Sequence, residues 1–135
     1  MTDAGQAVQA AMFDALVDDP SVTALVGADG VFDGVPRKAE YPHVVFGPRE
    51  TRDYSTDDCP GDEHTITVRA RTRGRGKRDS AEILAVVRSV LADTDLTLVG
   101  HHLVNLSFLD AEITREGRGG IWRGEARFRA VTEPV

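Results

Sequence analysis

The sequence predicts an α+β domain in which a mainly antiparallel sheet of about four strands is covered on one face by two helices. Three observations carry this prediction. Two segments place apolar residues at helical spacing, others alternate apolar and polar residues as strands do, and a glycine-rich segment separates the last two predicted strands. The chain has 135 residues, which is the length of one domain, so we expect a single domain over 1–135. A chain of this length can bury a core without disulfides.

Two helical segments open the chain. Residues 4–17 place Val8, Met12 and Leu16 on one apolar stripe, which predicts an amphipathic helix. Pro20 disfavours helix in the residue before it, so we expect the helix to end there. Ser21 is then positioned to cap a short second helical turn.

A strand and a long loop follow. Residues 41–47 have the β-branched and aromatic content of a strand, and Pro42 restricts that strand to starting there or lying at an edge. Residues 48–62 are polar and acidic, so we expect a long loop outside the core.

The second half predicts a strand, a helix and a hairpin. Residues 63–73 alternate strictly, and Asp79, with Glu82 three residues later, resembles the start of a helix over 79–91. Residues 103–114 and 121–132 flank the glycine-rich segment 116–120 and predict a β-hairpin. The apolar phase slips near residue 108, which predicts a bulge, and Gly124 is small enough to let a helix lie close to the sheet.

Charge and composition are typical of a soluble globular protein. The formal net charge is −6, and it is unevenly spread: residues 1–62 carry four basic and twelve acidic side chains, residues 63–135 twelve and ten. An electrostatic grip on nucleic acid is therefore not expected as the main task. No apolar run approaches the roughly 18 residues of a membrane span, the N-terminal residues lack the basic start of a signal peptide, and a lone cysteine fits a reducing compartment. We expect a cytoplasmic protein that meets no membrane.

Candidate catalytic, cofactor and metal sites are weak. Residues 74–77 lack the flanking glycine and hydroxyl residue of a phosphate loop, and the four histidines lack metal-site spacing. The acids of the 48–62 loop are better explained as solvated, and acidic neighbours disfavour a reactive Cys59. His64 is expected to pack at a sheet end. The sequence thus predicts no enzyme and no cofactor or metal.

A stripe of arginines is the unusual feature. The predicted strands 63–73 and 121–132 both alternate, and this alternation puts six arginines on one face of the sheet: Arg69, Arg71, Arg73, Arg123, Arg127 and Arg129. Such a stripe is either a solvated face or an interface. In the second case Asp57, Asp58 and Asp62 of another copy supply the opposite charge, and head-to-tail pairing of unlike patches forms a ring if the rotation between copies closes.

Ordered short motifs along nearly the whole chain resemble a known family, the tail terminator proteins, also called tail completion or head-to-tail joining proteins, of long-tailed bacteriophages and gene transfer agents. The resemblance lies in the order and spacing of these segments: Asp19-Pro20-Ser21-Val22-Thr23-Ala24-Leu25-Val26-Gly27, Val31-Phe32-Asp33-Gly34-Val35-Pro36, Tyr41-Pro42-His43-Val44-Val45-Phe46-Gly47, Glu63-His64, the 80–91 helix, Gly100-His101-His102-Leu103-Val104-Asn105-Leu106, Trp122-Arg123-Gly124 and Phe128-Arg129-Ala130.

The resemblance implies a ring, commonly of six copies, that caps the tail tube, stops its polymerisation and docks the neck of the head. Its partners would be other copies of the chain, the tube protein and a neck protein, with DNA only passing through the lumen. It would be assembled in the bacterial cytoplasm and then carried in the particle. Two alternatives stay open at this point: a nucleic-acid-contacting protein that uses the arginine face, and a small enzyme with an unseen pocket.

Overall fold

The computed structural model describes residues 3–34, 38–74 and 76–135. Among these residues three helices and five strands follow one another, so the predicted counts of two helices and about four strands were each one too low. In chain order these elements are α1 (Ala4–Asp18), α2 (Pro20–Val26), β1 (Val31–Phe32), β2 (His43–Asp53), β3 (Asp62–Arg73), α3 (Arg78–Asp93), β4 (His101–Glu116) and β5 (Ile121–Pro134).

The strands form one sheet in the order β1-β2-β3-β5-β4. Only β1 is parallel to its neighbour, and it pairs with β2 over two residues. All other neighbours are antiparallel, which confirms the α+β class and the mainly antiparallel sheet.

The predicted loop over 48–62 is wrong in its extent. Strand β2 continues to Asp53 and pairs with β3, so only residues 54–61 form the connection. The pairing is irregular between Phe46 and Arg49, and this irregularity accommodates Pro48, which has no N–H to offer the ladder. Backbone pairing with β3, rather than burial, makes this polar segment a strand.

The helices cover one face of the sheet. The core joins Met12 and Leu16 of α1 and Val87 of α3 to the even-numbered residues of β3 and β5, among them Ile66 and Phe128. A methyl group added at Gly124 would lie 2.7 Å from Leu84 Cδ1 of α3, which confirms the predicted close approach. The opposite face carries the odd-numbered residues and no helix among those described.

The helix starts differ from those predicted. Asp19, not Ser21, caps α2, and its carboxylate accepts a hydrogen bond from the Ser21 N–H at 2.8 Å. Helix α3 begins at Arg78, and Lys77 at its N-cap makes no side-chain capping bond, so Asp79 lies in the first turn instead. The acid there still interacts favourably with the helix dipole.

The final hairpin agrees with its prediction. Strands β4 and β5 are joined by a turn in which Gly117 and Gly120 adopt positive φ of 66° and 72°. The pairing slips between Phe108 and Asp110, which confirms the predicted bulge, and a second slip lies between Leu103 and Asn105.

Candidate assembly interface

The six predicted arginines do lie on one face. Cross-strand pairing sets Arg69 opposite Glu125, Arg71 opposite Arg123, and Arg129 opposite Thr65, all on the side of the sheet away from the helices. The prediction of a shared face is therefore confirmed.

Two glutamates of the same face pair with three of these arginines. Arg69 Nε and Arg123 Nε lie 3.3 Å and 3.0 Å from Glu125 Oε1. Arg71 donates two parallel bonds, each 3.0 Å, to the carboxylate of Glu116. A bidentate guanidinium–carboxylate pair fixes both side chains in orientation as well as in charge.

Two further arginines are paired in the same way. Arg127 Nε donates to Asp110 Oδ1 at 2.8 Å, and Arg129 Nε donates to Glu63 Oε2 at 2.6 Å. The bonds from Arg127 lower the pKa of the Asp110 carboxyl, and each carboxylate raises the pKa of its arginine partner. The guanidinium of Arg129 also lies 5.2 Å from the centre of the Tyr54 ring.

Arg73 differs from the other five. It has no carboxylate partner among the residues that the structure describes, and its guanidinium lies 5.0 Å from the centre of the Tyr41 ring. The residue is exposed at the end of β3.

The face is therefore a mosaic of both charges and not a cationic strip. The strand registers place seven arginines and seven acids on it: Arg52, Arg69, Arg71, Arg73, Arg123, Arg127 and Arg129, with Glu50, Glu63, Asp110, Glu112, Glu116, Glu125 and Glu133. Carboxylates of the same chain pair with five of the six predicted arginines, so these five do not depend on a neighbouring copy or the tube for their counter-charge. That neighbouring copies also touch this face stays a prediction.

The three predicted acids lie at one end of the sheet. Asp57 and Asp58 are exposed in the 54–61 connection, and Asp62 begins β3 opposite Thr132. The connection is internally ordered: the Ser55 hydroxyl donates to Asp53 Oδ1 at 2.6 Å and accepts from the Gly61 N–H at 3.0 Å. The bonds from Ser55 lower the pKa of Asp53.

Arg73 lies at the other end of β3, far from the acidic tip. Strand β3 has 12 residues, which at about 3.3 Å per residue spans roughly 36 Å. Within one copy the acids of the tip and Arg73 are not brought together.

Two histidines, His43 and His64, are buried in the fold. His64 is fully buried, with Nδ1 2.9 Å from the Thr51 hydroxyl and Nε2 2.9 Å from the Thr132 hydroxyl, which confirms its position near a sheet end. His43 is also fully buried, its Nδ1 lies 2.9 Å from the Glu40 carbonyl, and its Nε2 has no hydrogen-bond partner within the described part of the chain. Burial lowers the pKa of both imidazoles.

Other candidate chemistry is absent from the described part of the chain. His101 and His102 begin β4, and no group of three possible metal ligands occurs among the described residues. No described helix combines the length and apolarity needed to cross a membrane. Of the segment 74–77, Arg75 lies outside the described residues, and the Gly74 N–H donates to the Gly120 carbonyl at 2.9 Å.

A cleft of about 790 Å³ lies between α3 and residues 39–42. Its charged lining consists of Glu40, Arg73, Asp79 and Glu82, and the described lining holds no histidine, serine or cysteine to act as nucleophile or base.

Sequence reasoning missed Arg49, because it lies in the segment predicted as a loop. Its guanidinium reaches from β2 to α1, donating to Gln9 Oε1 at 2.8 Å and Gln6 Oε1 at 3.2 Å, and pairing with Asp3 at 3.3 Å. These bonds attach the first helix to the sheet. Alternation after Pro48 was the available signal, but it is short and carries no apolar residue.

The comparisons with known proteins agree with the resemblance. The family model of tail completion protein gp17 matches residues 10–133. A solved chain in a structure described as the virion of a native gene transfer agent particle is 31% identical, with a TM-score of 0.88, and the match covers 98% of this chain and 99% of that one. No curated protein matches the chain significantly. The chain therefore belongs to the tail completion protein gp17 family, a family of structural proteins of phage-type tails.

Proposed function

We propose that the chain forms a ring on the head-proximal end of a phage-like tail tube, stops polymerisation of the tube and provides the docking surface for the neck of the head. The full-length match to a chain of a gene transfer agent virion is the observation that carries this proposal. The chain would accordingly be assembled in the bacterial cytoplasm and carried in a virus or gene transfer agent particle.

The separation of charge along the strands supports contacts above and below such a ring. The tip with Asp57, Asp58 and Asp62 and the end with Arg73 lie at opposite ends of β3. Proteins stacked along the tail axis would meet these two ends, the tube at one and the neck at the other. The exposed carboxylates at the tip make the two ends of each copy different surfaces, and this difference favours one stacking direction.

The intrachain ion pairs argue against the nucleic-acid alternative. A phosphate could gain an arginine from the mosaic only in place of a carboxylate already bonded to it, as in the pair of Arg71 and Glu116. The face accordingly lacks the excess of positive charge that duplex DNA selects. Salt-sensitive binding of the isolated chain to duplex DNA would revive this alternative.

Removal of the gene tests the proposal directly. Producer cells that lack the chain should make tubes of uncontrolled length without heads, and purified chain added to growing tubes should stop their elongation. Tails of normal length joined to heads in the absence of the chain would contradict the proposal.

A charge variant tests the acidic end. Asp57→Lys combined with Asp58→Lys should leave the isolated chain folded but lower the yield of joined particles. The matched control is Asp14→Lys, an exposed acid on α1 away from the tip, which should leave the yield unchanged. Equal yields from both variants would remove the acidic tip from the contact.

A further inference from the structure

Strand β4 is a long and unprotected sheet edge. It has 16 residues, pairs with β5 on one side, and has no strand on its other side among the described residues. Val104 and Leu109, at its two bulges, are 53% and 44% exposed. Natural edges are usually short or guarded by lysine and proline, and β4 contains neither residue, so only its bulges and charges guard it.

The opposite edge of the same sheet is open as well. Strand β1 covers β2 only at Val44 and Val45, which leaves the outer side of β2 from Phe46 to Asp53 without a strand partner in the described chain. The two open edges are linked by a row of residues that pair across the sheet from β2 through β3 and β5 to β4. This row consists of Glu50, Thr65, Arg129 and Ser107. The chain thus carries two unpaired edges at the same height.

The directions of the two edges are compatible. The pairs β2–β3, β3–β5 and β5–β4 are all antiparallel, so β4 runs opposite to β2. When copies are related by rotation about an axis along the strands, β4 of one copy meets β2 of the next in antiparallel orientation. Such a contact uses a different surface on each copy, and it forms a ring where the rotation from copy to copy closes.

Resting on the ring of the proposed function, we propose that β4 of one copy pairs with β2 of the next, so that one sheet continues around the ring. The occupant of the β4 edge is a second copy, because the chain itself supplies a complementary edge at the matching height and direction. Backbone hydrogen bonds satisfy both edges in this arrangement.

Charge and pleat limit the register. A shift by an odd number of residues would turn the helices of neighbouring copies to opposite faces, so only even shifts are compatible. The unshifted register is the one in which Glu50 of one copy lies opposite Ser107 of the next. Moving β2 along the neighbouring β4 toward the β4–β5 turn by two or four paired positions, counted along β5, sets Glu50 opposite Asp110 or Glu112, where like charges repel. No shift, or a shift of two residues the other way, sets Glu50 opposite the uncharged Ser107 or Asn105.

The arrangement assigns a location to the arginine face. Three helices occupy one side of the sheet, so the proposal places them on the convex, outer side of the ring and the charge mosaic along the lumen. The five paired arginines then lie away from contacts between copies, contrary to the assignment made from the sequence. A lumen with nearly balanced charge would let DNA pass without holding it.

Cysteine crosslinking in assembled particles tests the contact. In a Cys59→Ser background, Ser107→Cys is combined with Glu50→Cys for the unshifted register, and Asn105→Cys with Glu50→Cys for the shifted one. Directly opposite side chains on paired strands lie about 5 Å apart at Cβ, within reach of a short thiol crosslinker. One of the two pairs should give a ladder of covalent multimers whose highest rung is the copy number of the ring.

The control combines Ser107→Cys with Glu82→Cys, an exposed residue on α3, and should give no ladder. Particles that hold both edge variants at wild-type level and give no multimers would overturn the proposal while leaving the ring itself intact. Crosslinking of Ser107→Cys to a different protein would overturn it too, by showing another occupant. Absence of the chain from the head-proximal end of the tail would instead refute the proposed function.

Where a variant is not incorporated, amide exchange on unmodified particles decides the same question. Amides in 49–53 and 103–110 should exchange more slowly in the particle than in the isolated chain. Unchanged exchange in both segments would overturn the proposal.

Discussion

Gly124 holds the closest approach of α3 to the sheet, and Gly124→Ala should destabilise the protein. The added methyl would lie 2.7 Å from Leu84 Cδ1 and 3.3 Å from its Cγ, whereas carbon atoms in contact prefer about 3.5–4.0 Å. Leu84 is only 5% exposed, so its side chain must move by about 1 Å within a packed core. Overpacking of this kind costs about 1–3 kcal/mol.

An opposing effect reduces this cost. Alanine restricts the unfolded backbone more than glycine and returns roughly 0.5–1 kcal/mol. We therefore expect a net loss of about 1–2 kcal/mol in the free energy of unfolding, measured by urea titration of the isolated chain with circular dichroism. The thermal midpoint should fall by roughly 4 °C per kcal/mol.

Two further variants make this test specific. Gly119→Ala is the matched control, since the nearest atom to its added methyl is Ile121 Cδ1 at 4.0 Å, and it should change stability by less than about 0.5 kcal/mol. Adding Leu84→Val to Gly124→Ala should cost less than the sum of the two single changes, because it makes room for the methyl. A Gly124→Ala protein as stable as the unmodified chain would refute the close packing of α3 on β5.

Three other predictions concern the interior. Burial lowers the pKa of His43 and His64, so below about pH 6.5 the unfolded chain binds protons that the folded chain does not. The free energy of unfolding should therefore fall as the pH drops below about 6.5, by at most about 1.4 kcal/mol per pH unit for each histidine. A free energy of unfolding in urea that stays constant between pH 7.5 and 5.5 would contradict this. Thr132→Val removes the hydroxyl that lies beside His64 Nε2 and should lower the free energy of unfolding in urea by about 1–3 kcal/mol. The control Thr114→Val, at a half-buried threonine, should change it little. Equal losses of stability in the two variants would show that the bond between His64 and Thr132 has no special role. Arg49→Met removes the hydrogen bonds to Gln6 and Gln9 of α1 and should lower the free energy of unfolding by about 1–2 kcal/mol. Backbone amides of α1 should also exchange faster with solvent. Unchanged amide exchange in α1 would show that packing alone holds the helix on the sheet.

Strong periodicity made much of the fold predictable. The apolar stripes of α1 and α3 and the alternation in β3 each result from burial of one face, and burial is directly visible as a residue pattern. The bulge near Phe108 was predictable for the same reason, because an extra residue reverses which side chains face the core.

Segments held by backbone pairing were less predictable. Residues 49–53 of β2 bury little apolar surface and form a strand through hydrogen bonds to β3, so their sequence resembles a polar loop. The two residues of β1 are too few for any pattern.

The arginine pairs show a second limit. Placing the arginines on one face needed only alternation within each strand, and that prediction was correct. Their partners Glu116 and Glu125 were equally visible in the sequence, but the pairing depends on which residues lie opposite one another across strands. Register is set by the whole sheet and its bulges, and no local spacing encodes it.

Electron cryomicroscopy of the assembled particle tests the central claim most directly, by locating the chain along the tail axis. The proposal predicts one ring of copies between the last ring of the tube and the neck, with the tip of Asp57 and Asp58 directed toward one of them. Copies repeated along the tube, or density for the chain only at the far end of the tail, would contradict it.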